Sequence, residues 1–75
     1  MMRKPTASRQ IACNELISPE GQSLTLYVIQ VVEGYVADYF PLSHALPHTE
    51  WFQGQIRLVR TECGLRAYYN DDLIT

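Results

Sequence analysis

Three observations predict an all-β fold for this sequence, a single small domain built as an antiparallel meander of about five strands. Leu24–Val32 and Tyr35–Phe40 are apolar-rich runs joined by Glu33-Gly34, an X-Gly pair suited to a tight hairpin because glycine accepts positive φ. Arg9–Ile17, Gln55–Thr61 and Leu65–Tyr69 alternate with the same two-residue period, each bounded by a turn signal. The length of 75 residues leaves room for one core and no second domain.

Taken in order, Met1–Ser8 holds Pro, Ser, Thr and basic residues with no apolar period, and is expected to be a disordered tail ahead of a single β domain, 9–75. In strand one the alternation puts Ile11, Cys13 and Ile17 on one face and Ala12, Asn14 and Leu16 on the other. Ser18–Gln22 contains Pro19 and Gly21 and reads as a turn. Strand two is apolar on both faces, with Leu24, Leu26, Val28 and Val32 on one and Tyr27, Ile29 and Val31 on the other. Strand three alternates Tyr35, Ala37 and Tyr39 against Val36, Asp38 and Phe40, and Pro41 ends it because proline cannot donate to a ladder.

The long connection 41–54 follows. Pro47 limits any helix there to single turns, one of which could start at Thr49 as its cap. Leu42, Leu46, Trp51 and Phe52 give this segment apolar surface with which to cover a sheet. Strand four places Ile56 and Leu58 opposite Arg57, Val59 and Thr61, and strand five places Leu65, Ala67 and Tyr69 opposite Arg66 and Tyr68. Gly34–Tyr39 and Gly64–Tyr69 share Gly-x-x-Ala-x-Tyr, as two hairpins solving one packing problem would. An open curled sheet and a small SH3-like barrel both fit these lengths.

Charge narrows the function. Arg3, Lys4 and Arg9 are three of the six basic residues, and all eight acids lie beyond them. The acidic body argues against nucleic acid, which needs clustered Lys and Arg. No apolar run reaches the roughly 18 residues of a membrane span, and no apolar segment follows the charged start as in a secretory signal. Two cysteines without a C-x-x-C pair fit a cytoplasmic protein with reduced thiols.

Chemistry is thinly represented. His44 and His48 stand four apart with Glu50 beyond them, but H-x-x-x-H converges on a metal only in a helix, and Pro47 opposes one; no metal and no other cofactor is expected. Cys63 lies near Arg60 and Arg66 but adjoins Glu62, so neither cysteine presents a reactive setting, and no nucleophile sits in a recognisable elbow. No catalytic residue is therefore assigned. Asp38, if buried, needs Arg57 or Arg66 as an ion-pair partner.

The expected function is that of a small non-enzymatic domain for protein interaction or self-association. One face of strand two is covered by the rest of the chain, and the second is expected to meet another copy in a homodimer. Tyr27, Ile29, Val31, Trp51 and Phe52 are the interface candidates. The alternative is a small-molecule or hydrolytic site under the 41–54 loop, using His44, His48, Glu50 or Trp51.

Overall fold

A computed structural model describes residues 8–44 and 46–75, and the expected tail over 1–7 lies outside the described residues. Six strands form one mixed sheet: β1 (Ser8–Ile17), β2 (Ser23–Val32), β3 (Tyr35–Pro41), β4 (Thr49–Thr61), β5 (Gly64–Tyr69) and β6 (Asp72–Leu73). Their spatial order is β3-β2-β1-β4-β5-β6, and the sheet does not close. The fold is all-β, with the predicted hairpins β1–β2, β2–β3 and β4–β5 all present. Among the described residues there is no helix, so none is long and apolar enough to cross a membrane.

The turns follow their residues. Glu33 (φ 52°) and Gly34 (φ 85°) take the paired positive angles of a type I′ turn, whose twist matches that of the flanking strands. In the β1–β2 connection the buried Ser18 is satisfied locally: its Oγ accepts from the Gln22 N–H at 3.0 Å.

The architecture departs from a pure antiparallel meander at one seam. β1 pairs β4 in parallel, from Gln10 opposite Thr49 to Ile17 opposite Arg57. Parallel pairing forbids a hairpin, so the connection 42–48 must pass across β2 and β1 to carry the chain from β3 to β4. The connection is also shorter than the expected 41–54. Thr49–Phe52, expected as a helical turn, is instead the first part of a long β4, held on β1 by its ladder and by Gln10 Nε2 donating to Thr49 Oγ1 at 2.8 Å. Trp and Phe favour the pleated, half-buried surface that β1 offers them.

Alternation breaks on β1 and β2 at paired positions. Leu26 takes φ 54°, and it lies across from Asn14 in the β1–β2 register. Before this point the core side of β2 is Leu24, and after it Tyr27, Ile29 and Val31; on β1 it is Ile11 and Cys13 before and Leu16 after. Leu16 thus takes the core place expected of Ile17, and Leu24 joins the face opposite to the one its spacing implied. β4 adjusts at the same level with a bulge between Phe52 and Gln55, where Gly54 has φ 114° and donates its N–H to Asn14 Oδ1 at 2.7 Å. On β3 a second bulge at Ala37 turns Val36 and Tyr39 inward and leaves Asp38 exposed, so Asp38 has no buried ion pair to make. The same bulge breaks the Gly-x-x-Ala-x-Tyr correspondence, since Ala37 is exposed and Ala67 is in the core.

The inner face holds Ile11, Cys13, Leu16, Ile29, Val31, Ile56, Leu58 and Ala67, closed at one end by Ile74, whose N–H donates to Ala67 O. Curling brings β3 toward β5, where the Arg66 guanidinium lies 4.4 Å over the Tyr35 ring.

Candidate interaction surface

Ile29 and Val31 do not meet solvent or await a second copy. They are 0% and 2% exposed within one chain, because the curled β4–β5 half of the sheet covers them. Tyr27 is partly buried on the same core, its ring 6.4 Å from that of Tyr39. Phe52 also turns inward, 4.9 Å from the Tyr69 ring. Of the five interface candidates only Trp51 is substantially exposed, at 48%.

The outer face of β2 is also covered within the chain around Val28, whereas Leu26 nearer the start of the strand stays exposed. Across the strands Phe40, Val28, Ala12 and Trp51 stand in register as one row, and Val28 and Ala12 are buried. One step along lies a polar row in which Gln30 Nε2 donates to Gln10 Oε1 at 3.3 Å and Gln10 continues to Thr49. The far end of the connection 42–48 comes down here, with Thr49 Oγ1 donating to Pro47 O at 3.3 Å. Pro47 and His48 wall a cleft of about 390 Å³ with Ser8, Arg9, Gln10, Gln30 and Val32.

The four residues proposed for a small-molecule site are dispersed. Only His48 lines that cleft. His44 is exposed, its Nδ1 3.0 Å from Ser43 Oγ. Glu50 is engaged by Arg9, whose Nε and Nη2 donate to its two carboxylate oxygens at 2.8 and 2.6 Å. That bidentate contact holds the Glu50 carboxyl below its ordinary range and raises Arg9. The third nitrogen, Arg9 Nη1, donates to Thr75 O at 2.9 Å. Among the described residues no three His, Cys, Asp or Glu side chains converge as metal ligands would.

The two cysteines differ in kind. Cys13 is fully buried, and desolvation pushes its thiol up to about 11, whereas Cys63 is exposed in the β4–β5 turn.

The sheet edges are unequal. β3 is blunted by its bulge, by Pro41 and by Asp38 Oδ1, which accepts the Tyr39 N–H at 2.8 Å. β6 has only two residues. β4 differs, because β1 pairs it from Thr49 onward whereas β5 pairs it only from Ile56 to Thr61. Thr49–Gln53 therefore has a strand on one side and, among the described residues, none on the other. The Tyr69 hydroxyl caps the end of this stretch by donating to Gln53 O. No sequence pattern marks such an edge, since it depends on where a neighbouring strand stops.

A scan against models of protein families and searches of curated proteins and of solved structures return no match to this chain.

Proposed function

We propose that this chain is a non-enzymatic self-association module that works as a homodimer. The observation that carries the proposal is Trp51, a large apolar side chain 48% exposed on a sheet that remains open. Val28, Ile29 and Val31 at the centre of β2 are covered by the chain itself. Of the large apolar side chains left exposed among the described residues, Leu26, Trp51 and Leu73, Trp51 on β4 is the most exposed and the one that a contact would bury. A domain of this size has a small core, and association is a common means of adding to its stability. The two free cysteines suit a reducing compartment, and we place the module in the cytoplasm. Sedimentation velocity from micromolar to several hundred micromolar tests self-association: a concentration-dependent shift toward twice the chain mass is expected, and a monomer throughout would refute it.

A further inference from the structure

We infer that two copies join edge to edge along Thr49–Gln53, antiparallel and centred on Trp51. The inference rests on the self-association proposed above and adds the surface and the register. β4 leaves Thr49–Gln53 uncovered around Trp51, the most exposed large apolar side chain among the described residues, because β5 stops at Ile56. The Tyr69 hydroxyl takes the last carbonyl, Gln53 O, where the β4 bulge begins. In any sheet, alternate residues of an edge direct N–H and C=O outward, and these take a strand from another molecule. The two outermost strands are poorer templates, since Asp38 occupies the Tyr39 N–H of the bulged β3 and β6 is two residues long.

The register follows from charge and burial. Pairing about Trp51 sets Trp51 against its own copy, Glu50 against Phe52 and Thr49 against Gln53, so every residue faces one on the same side of the sheet. Each Glu50 keeps its own Arg9, and the two carboxylates are never directly opposed. Centring on Glu50 would place the two carboxylates face to face. Centring on Phe52 would set each Trp51 against Gln53 and separate the indoles. Only the Trp51-centred register both avoids like charge and packs the two exposed rings together. The contact is short and belongs with small, transient interfaces, below roughly 1,200 Å².

Cysteine cross-linking in the full chain reads the register. In a Cys63→Ser background, Thr49→Cys and Gln53→Cys variants are mixed and oxidised. Directly opposed residues lie about 4.5–5.5 Å apart at Cα, within disulfide reach. The mixture is expected to give a covalent dimer, and either variant alone should give at least tenfold less, because like positions would stand about 13 Å apart. In parallel, Trp51→Lys is expected to weaken self-association at least tenfold by sedimentation. A dimer that forms without the mixed disulfide overturns the edge pairing and leaves self-association standing. A wild-type chain that stays monomeric overturns both. The cross-link is decisive even if Trp51→Lys fails to fold, since it leaves Trp51 in place.

Discussion

Cys13 and Cys63 share a side chain and differ in everything the fold does to it. Cys13 Sγ donates to Tyr27 O at 3.6 Å in the core, and Cys63 lies on the surface. A thiol reagent applied to the native chain should therefore modify one cysteine rapidly, and the second only after denaturant is added, as absorbance will show. Burial also makes Cys13 a source of alkaline sensitivity. Its thiol ionises near 11 in the folded chain and near 8.5 in an unfolded one, so the folded state holds the extra proton between those values. This contribution is complete below about pH 8.5 and is lost as pH rises toward 11, up to about 3 kcal/mol. Urea melts from pH 7 to 10 should show wild type losing stability more steeply than Cys13→Ala, each compared with its own value at pH 7. Parallel slopes would show that the thiol is not held in its neutral form.

Asn14, Leu26 and Gly54 act together, because they let three neighbouring strands change course at one level. Gly54 has room for a side chain, with a Cβ meeting only Tyr69 Cε1 at 3.8 Å, so its φ of 114° and not space is what requires glycine. Gly54→Val should cost about 1–3 kcal/mol through backbone strain, and Asn14→Ala about 1 kcal/mol through the hydrogen bond it removes. Because both act on one contact, the double variant in a denaturation cycle should lose less than the sum. This level of the sheet also marks where the sequence stops being readable. The Glu33-Gly34 hairpin, the turn at Ser18–Gln22 and the strands from Gln55 and Leu65 are written in local residue chemistry, and the structure has them. Leu26 in a left-handed conformation is not written locally, since nothing in SLTLYVI distinguishes the flip from plain alternation. The outward place of Asp38 depends likewise on a bulge. Thr49–Phe52 looked like a cap and turn because its strand partner, β1, is far away in sequence. Trp51 was legible as apolar surface, but its exposure was not, because that depends on where β5 ends.

At the scale of the whole molecule, the order β3-β2-β1-β4-β5-β6 is two contiguous antiparallel ribbons laid side by side. Each is built from short-range hairpins, and among the described residues only the parallel β1–β4 pair joins one backbone ladder to the other. Closing that pair brings together residues about forty apart in sequence, an entropic cost that local hairpins do not carry. Slow closure of the β1–β4 seam, with each ribbon becoming stable only against the other, is the folding route this favours. Among its described residues the crossing segment 42–48 supplies none to the core cluster. Scission within it should therefore leave two peptides, each carrying one ribbon with half of the core uncovered. Circular dichroism of either peptide alone should show little ordered sheet, and mixing them should restore the native spectrum. Two fragments that stay disordered together would mean that the covalent bridge supplies more than proximity. Restoration would make the protein a natural split reporter, with its breakpoint in the crossing between the two ribbons.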